Sequence, residues 1–95
     1  MNVIMEFSGA PKAITGVKQL PLSLKDGATY RDVIHELSQR YPALTGVVIA
    51  QDGYNLLSGN FFSVNGEDSI LPGMYDNQSP RDGDRLLLVF FMVGG

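Results

Sequence analysis

A period of two in the apolar positions predicts two β-strands in the first quarter of the chain. In Asn2–Phe7, alternate residues form one apolar face, made of Val3, Met5 and Phe7. Residues 8–16 are rich in turn-forming residues and predict a turn region. Residues 19–25 then alternate again and place three leucines on one face, Leu20, Leu22 and Leu24. Because Pro21 has no N–H to donate, we expect this second strand at a sheet edge, in a hairpin with the first.

Apolar residues three and four positions apart predict one main helix that begins near Thr29. Thr29 followed three residues later by Asp32 is typical of a capping box, in which each residue satisfies a backbone N–H of the other. The apolar stripe of this helix comprises Tyr30, Val33, Ile34, Leu37 and Tyr41. Pro42 ends the helix, since the residue before a proline avoids helical backbone angles.

The middle of the chain has weaker patterns. Residues 43–49 fit either a short helical turn or a strand, and residues 50–60 have the composition of a loop. Phe61–Val64 is predicted as a short strand that runs into a turn at Asn65 and Gly66, a favoured turn pair. Residues 67–79 are polar and contain a Pro-Gly pair, which predicts a long connection.

The last predicted strand, residues 86–93, is apolar on both of its faces. It follows a tight turn at residues 81–84. A sheet with one face in water should alternate, and the single helix can cover only one face. The second apolar face must therefore be covered by the 50–60 and 67–81 loops or by another protein.

The order strand, strand, helix, strand or strands, strand predicts a two-layer α+β domain. The first and last strands are the most apolar, so we expect them at the centre of a mixed sheet with the main helix packed on one face. This is the β-grasp topology of ubiquitin-like proteins. Residues 1–95 are predicted to form one such domain, with a flexible tail at residues 92–95, because 95 residues suffice for only one core.

Composition excludes several kinds of chemistry. The chain has no cysteine, which excludes a disulfide framework, a thiolate metal site and a catalytic thiol, and we predict no metal site. Ten acidic against seven basic residues give a net charge of −3, so a nucleic-acid partner is not expected. The longest apolar run falls far short of the roughly 20 residues of a membrane helix. With no basic leader at the start, the predicted location is cytoplasmic.

The side chains that could suggest catalysis are better explained structurally. His35 is the only histidine and is expected to be a solvated residue of the helix. Asp82 and Asp84 flank a glycine and are predicted to form a turn rather than a cation site. Tyr30 and Tyr41 belong to the helix stripe and are expected in the core.

The chain closes with Gly94 and Gly95. Two terminal glycines occur by chance in about one chain in two hundred at a typical glycine frequency of about 7%. Without Cβ atoms they form a thin, pliable segment that can enter a narrow channel and present a free carboxylate at its tip. Such a tail suits a protein whose terminus is the reacting group.

These segments together resemble the MoaD/ThiS-type ubiquitin-like sulfur carriers. The matching pieces occur in the family's order and span nearly the whole chain: residues 29–34 with Leu37, residues 40–44, residues 64–66, residues 82–84 before an apolar strand, and residues 93–95. The resemblance implies a protein co-substrate rather than an enzyme, within a pathway such as molybdopterin synthesis for the molybdenum or tungsten cofactor. It is also compatible with the small subunit of a molybdopterin synthase-type complex.

The resemblance also assigns roles to the tail. A ubiquitin-activating-type partner, similar to MoeB or ThiF, would use ATP to adenylate the Gly95 carboxylate, and a sulfur donor would convert it to a thiocarboxylate. This chain has no Gly-rich phosphate loop, so we expect no bound cofactor and place the ATP in the partner. A MoaE-like synthase subunit or another acceptor would take the sulfur. Gly94 would provide clearance, and the recognition stem would comprise Phe90, Phe91, Met92 and Val93.

Two other functions use the same features differently. A ubiquitin-like protein modifier would join the activated Gly95 to a target lysine and so form an isopeptide. A non-catalytic β-grasp binding module would keep its binding after loss of Gly94 and Gly95. The product formed at Gly95 therefore distinguishes the three hypotheses.

Overall fold

The computed structural model describes residues 1–90 and has a mixed sheet with helices on one face. The five strands are β1 (Asn2–Phe7), β2 (Gln19–Ser23), β3 (Phe61–Val64), β4 (Asp68–Ile70) and β5 (Arg85–Val89). The helices are α1 (Gly9–Thr15) and α2 (Tyr30–Arg40), with 3₁₀ helices at Pro42–Leu44 and Pro72–Met74. None of the helices in this part of the chain is long and apolar enough to cross a membrane.

The sheet has the strand order β2-β1-β5-β3-β4. Strands β1 and β5 are parallel neighbours at its centre, and every other neighbouring pair is antiparallel. The predicted central position of the first and last strands is therefore confirmed, and the topology is that of a β-grasp fold. In β1, the alternate residues Val3, Met5 and Phe7 are buried, as the period of two predicts.

Strand β2 lies at one edge of the sheet. Pro21 stands opposite Ile4 of β1, and no other strand formed by residues 1–90 adjoins β2 on its far side. The missing N–H of Pro21 therefore costs no hydrogen bond between β2 and a further strand, and the predicted edge position is confirmed.

The segment between β1 and β2 is a helix, so the prediction of a turn region at residues 8–16 was wrong. Pro11 lies in the first turn of α1, where its missing N–H has no intrahelical partner to lose. Gly16 ends the helix in the left-handed conformation at φ 75°, and its N–H donates to the Lys12 carbonyl at 2.8 Å. Pro11 therefore belongs to the start of this helix and Gly16 to its end. Pro11 is also buried.

Helix α2 begins at the predicted capping box. Thr29 Oγ1 accepts from the Asp32 backbone N–H at 3.3 Å, and Asp32 Oδ2 accepts from the Thr29 N–H at 2.9 Å. The predicted stripe faces the sheet, with four of its residues buried, Tyr30, Val33, Ile34 and Leu37. Tyr41 packs edge-on against Phe7 with ring centroids 6.0 Å apart. One main helix on one sheet face is confirmed.

The segment left open at residues 43–49 begins within a 3₁₀ helix and continues as irregular chain. Ile49 forms isolated bridges with Thr45 and Leu56, so this region is neither a regular helix nor a regular strand. The long connection at residues 67–81 contains β4 and a 3₁₀ helix, and it places Tyr75 in the core.

The turn at Asn65 and Gly66 joins β3 to β4 as predicted. Both residues have positive φ, 54° and 72°, and the Glu67 N–H donates to the Val64 carbonyl at 3.0 Å. This is a type I′ turn, whose twist matches that of the two strands.

One hydrophobic core lies between the sheet and α2. It combines the helix stripe and the inward residues of the strands with buried residues of the connections, namely Leu44, Val48, Ile49, Leu56 and Tyr75. The connections thus extend the core on the helix side of the sheet. The opposite face keeps side chains that are only half-buried, among them Ile4, Leu87 and Val89.

Strand β5 is shorter than the predicted strand at residues 86–93. Its last pair with β1 joins Leu88 to Phe7, and its last pair with β3 joins Val89 to Phe61. Both neighbouring strands stop at these residues, so Phe90 has no strand beside it. Residues 91–93 lie outside the described part of the chain.

Candidate functional site

The predicted reacting tail lies beyond the described residues, but its point of attachment is well defined. Gly94 and Gly95 are outside residues 1–90, as are three members of the predicted stem, Phe91, Met92 and Val93. The chain leaves the sheet at Val89, the end of the central strand β5. The tail therefore departs from the middle of the sheet, between β1 and β3.

Phe90 is the one residue of the predicted recognition stem that the structure describes. It is half-buried and packs against the hydrophobic core. Part of its ring is therefore already in contact with the domain. Phe90 connects the end of β5 to the residues that follow. Its contact with a partner stays a prediction.

The face of the sheet opposite α2, here called the open face, follows from the strand register. Ile4 pairs with Arg85, Leu87 pairs with both Glu6 and Ser63, and residues paired across strands share a face. The open face of the three central strands comprises Ile4, Glu6, Phe61, Ser63, Arg85, Leu87 and Val89. All are half-buried except Arg85, which is exposed.

The open face has an apolar end and a charged end. Phe61 and Val89 form a cross-strand pair where β5 meets the tail. At the start of β5, Arg85 Nη2 lies 2.8 Å from Glu6 Oε1. A shallow depression of about 240 Å³ borders this ion pair and Leu87. Because Arg85 is exposed and Glu6 only half-buried, the pair contributes little to stability and places one charge of each sign at this end of the face.

The turn before β5 is built by the two aspartates that the sequence analysis assigned to it. Asp82 Oδ1 accepts from the Asn2 N–H at 2.7 Å, which ties the turn to β1. Asp84 Oδ2 accepts from the Arg81 N–H at 2.8 Å, and Asp84 Oδ1 accepts from the Asn65 side-chain amide at 3.0 Å. The predicted turn role of both residues is confirmed.

His35, predicted as a solvated residue of the helix, is half-buried in the structure. Its ring stacks on Tyr54 with centroids 4.3 Å apart and an interplanar angle of 3°. Its Nδ1 is buried and has no hydrogen-bond partner. Tyr54 of the 50–60 loop covers one face of the ring, a contact between distant segments that helix periodicity does not reveal.

Arg31 is the side chain that holds both long connections to α2. Its guanidinium forms a two-bond ion pair with Asp76 and donates to Asn55 Oδ1 at 2.8 Å and to the Tyr54 carbonyl at 2.9 Å. The hydrogen bond from Arg31 holds the pKa of Asp76 below its ordinary value. The backbone N–H of Tyr54, followed by the Asn55 amide, lowers the pKa of Asp52 in the same loop.

The open face of the described residues combines an apolar patch with one ion pair. Across residues 1–90, no group of three or more histidine, aspartate or glutamate side chains is arranged to hold a metal ion. The charged side chains of the open face form an ion pair with each other. The arrangement can present an apolar patch beside the start of a tail.

The model of the ThiS family matches residues 5–95, which is nearly the whole chain and includes both terminal glycines. The chain belongs to the ThiS family. The resemblance drawn from the helix, the turns and the tail is therefore confirmed. A search among curated proteins found no match.

Solved structures similar to this ThiS-family chain share its whole fold. Small archaeal modifier protein 1 (SAMP1) from Haloferax volcanii aligns with a TM-score of 0.81 at 21% identity, over 100% of both chains. SAMP1 from Methanosarcina acetivorans gives 0.77 at 25% identity, over 99% of this chain and 96% of its own. A putative molybdopterin converting factor subunit 1 from Pyrococcus furiosus gives 0.69 at 22% identity, over 92% and 93%.

Sequence reasoning missed half of the open face of this ThiS-family domain. Leu87 and Val89 were identified from the sequence because they form the second apolar face of the last strand. Ile4 and Phe61 join them only through the register of β1 and β3 on β5. One feature of the sequence could have indicated Ile4. It is the apolar residue between Asn2 and Glu6 on the outward face of the first strand.

Proposed function

We propose that this ThiS-family chain is a sulfur carrier whose C-terminal Gly95 carboxylate is activated by a partner enzyme and converted to a thiocarboxylate. The observation that carries the proposal is the family match to residue 95, which includes Gly94 and Gly95. The sulfur acceptor we favour is a MoaE-like subunit in molybdopterin synthesis.

The reaction follows from the chemistry of the tail. A carboxylate is a poor electrophile until it carries a good leaving group. A Gly95 oxygen would attack the α-phosphorus of ATP in the partner, releasing pyrophosphate and leaving an acyl-adenylate. A sulfur nucleophile would then attack the acyl carbon, AMP would leave, and Gly95 would carry a C–S bond. Gly94 would admit the backbone to the partner's narrow channel because it has no Cβ.

The open face supplies the surface for such partners. Half-exposed Phe61, Leu87 and Val89 lie beside the attachment point of the tail, and the Glu6–Arg85 pair lies at the far end of the same face. If a MoeB/ThiF-like enzyme bound this face, the point at which the tail begins would lie at a fixed position relative to the enzyme. Val89 and Arg85 are four residues apart, about 13 Å along β5, so the apolar end is the nearer one.

The molybdopterin branch is supported by two likenesses. The helix and tail segments resemble MoaD-type carriers, and the Pyrococcus furiosus protein of the same fold is described as a putative molybdopterin converting factor subunit 1. The fold itself serves several pathways, so the acceptor is identified by product and not by shape.

Covalent protein modification is the second candidate function. It is favoured by the fold similarity to two proteins named small archaeal modifier protein 1, one of them 25% identical to this chain. The activation step would be the same, but a lysine amine of a target would displace AMP and form an isopeptide bond with Gly95.

Intact-mass measurement distinguishes these functions. The full chain is incubated with ATP, a MoeB/ThiF-type adenylating enzyme and a sulfide source. Replacement of one oxygen by sulfur supports the carrier, whereas conjugates that form on added protein without a stable thiocarboxylate support the modifier. A variant lacking Gly95 controls for the site and should give neither product. Failure of adenylation with enzymes of this type would overturn both functions and favour a binding module.

A further inference from the structure

A second concave site lies on the helix side of the sheet, at the end where β5 begins. It is a cavity of about 190 Å³, and the residues that determine its chemistry are Tyr30, Val64, Asp68, Ile70, Arg81 and Asp84. Val64 and Ile70 are buried core residues, while the aspartates and Arg81 form the polar side. The tail leaves from the opposite end of β5, so this cavity is separate from the chemistry of Gly95.

Tyr30 places an unused polar group in the cavity. The residue is only 3% exposed, and its hydroxyl makes no hydrogen bond with any described residue. Burial, and then Asp84 and Asp68, raise the pKa of Tyr30 to about 12, while Arg81 lowers it. Tyr30 lines the cavity together with these three charged residues, and at this pKa its hydroxyl stays protonated at neutral pH.

The two carboxylates differ in how much of their bonding capacity is used. Asp84 accepts one hydrogen bond at each oxygen, from the Asn65 amide and the Arg81 N–H, which fixes its position. A carboxylate can accept about four, so each oxygen retains capacity. Asp68 is exposed, and its side chain forms no hydrogen bond or ion pair among residues 1–90. Two carboxylates against one guanidinium leave the cavity with a negative balance.

We propose that this cavity binds a primary ammonium group carried on an alkyl chain, either a free amine or a lysine side chain of another protein. An ammonium has three donors, which match the Asp68 and Asp84 carboxylates and the Tyr30 oxygen. Its methylene groups would lie against Val64 and Ile70. A bound metal fits less well, because no described cluster offers three acidic or imidazole ligands.

The test is an amide NMR titration of the full chain. The probes are n-butylammonium and Nα-acetyl-lysine amide, and the neutral control is Nα-acetyl-norleucine amide, which keeps the four-carbon side chain without the ammonium group. Saturable shifts at Asn65, Asp68 and Arg81 are expected with both cations and not with the neutral amide. Comparable affinity for the two cations would indicate a free amine as the natural ligand. Clearly tighter binding of the lysine amide would indicate a lysine side chain of another protein.

Variants locate the binding. Asp68→Asn and Tyr30→Phe should each weaken it about two- to fivefold, since the pairing is partly exposed. Arg81→Gln should strengthen it by a similar factor because it removes the cation that competes for the carboxylates. Glu67→Gln is the matched control: it removes the same charge from the neighbouring residue, which does not line the cavity, and should change the affinity less than twofold. Equal binding of the neutral amide, or no loss with Asp68→Asn, would overturn the proposal.

Discussion

The hydroxyl of Tyr75 is buried without a hydrogen-bond partner, and its removal should stabilise the protein. Tyr75 is 0% exposed, and its ring packs edge-on against Phe62 with centroids 6.4 Å apart. The Arg31 guanidinium carbon lies 5.7 Å from the ring centroid. Burial raises the pKa of Tyr75, as expected for a hydroxyl removed from water. The replacement Tyr75→Phe keeps the ring and all of these contacts.

The size of the effect follows from the cost of the unpaired group. A buried donor or acceptor without a partner costs about 1–3 kcal/mol. The substitution also leaves a void the size of one oxygen atom, and the lost packing contacts offset part of the stabilisation. We therefore expect the free energy of unfolding to rise by about 1 kcal/mol, which corresponds to about 4–8 °C in Tm for a domain of this size.

Urea denaturation followed by far-ultraviolet circular dichroism measures this change. The midpoint should rise while the dependence on urea concentration stays the same, because the surface exposed on unfolding is unaltered. Tyr54→Phe is the control, since the Tyr54 side chain is 45% exposed and the change there should be close to zero. A loss of about 1 kcal/mol or more in Tyr75→Phe would refute the reasoning and would indicate that the hydroxyl is bonded, for example to an ordered water.

Three further predictions concern the helix cap, the two faces of β5 and alkaline pH. Thr29→Ala removes the side-chain half of the capping box and should cost about 0.5–2 kcal/mol of unfolding free energy, measured by urea denaturation against Thr29→Ser, which should retain most of it. Leu88→Ala, at a fully buried site, should cost about 2–5 kcal/mol, whereas Leu87→Ala on the open face should cost less and should instead reduce adenylation by the partner enzyme. The Tyr30 phenol, with its pKa raised to about 12, should ionise near pH 12 in an absorbance titration, and that step should be missing from Tyr30→Phe.

The sign of the alkaline effect follows from linkage. The unfolded chain releases the Tyr30 proton near pH 10 and the folded chain near pH 12, so this group's contribution to stability is present below about pH 10 and is lost between these values. Unfolding by urea at several alkaline pH values would show a shallower decline in Tyr30→Phe than in the parent chain. Identical pH dependence of the two proteins would contradict the raised pKa of Tyr30. For the prediction on β5, equal adenylation of Leu87→Ala and the parent chain would contradict the role of the open face.

Local patterns predicted the elements whose signals lie close together in sequence. The capping box at Thr29, the helix stripe and the Asn65 turn each involve residues within a few positions, and the structure confirms all three. The same locality explains the error at α1, where Gly9 and Pro11 are turn formers in general but are accommodated in the first turn of a helix. A seven-residue helix depends largely on packing, here through buried Pro11, and that packing is not visible in local propensity.

By itself, the sequence determined the core-facing residues of the sheet and α2, the central place of the first and last strands, and the Gly-Gly ending on which the proposed chemistry depends. Only the tertiary structure decided which distant residues share a surface. The open face joins Ile4 to Leu87, the cavity joins Tyr30 to Asp84, and Arg31 joins α2 to Asp76. These contacts depend on strand register and loop docking, in which one residue of slip exchanges the two faces of a strand, so no local period specifies them.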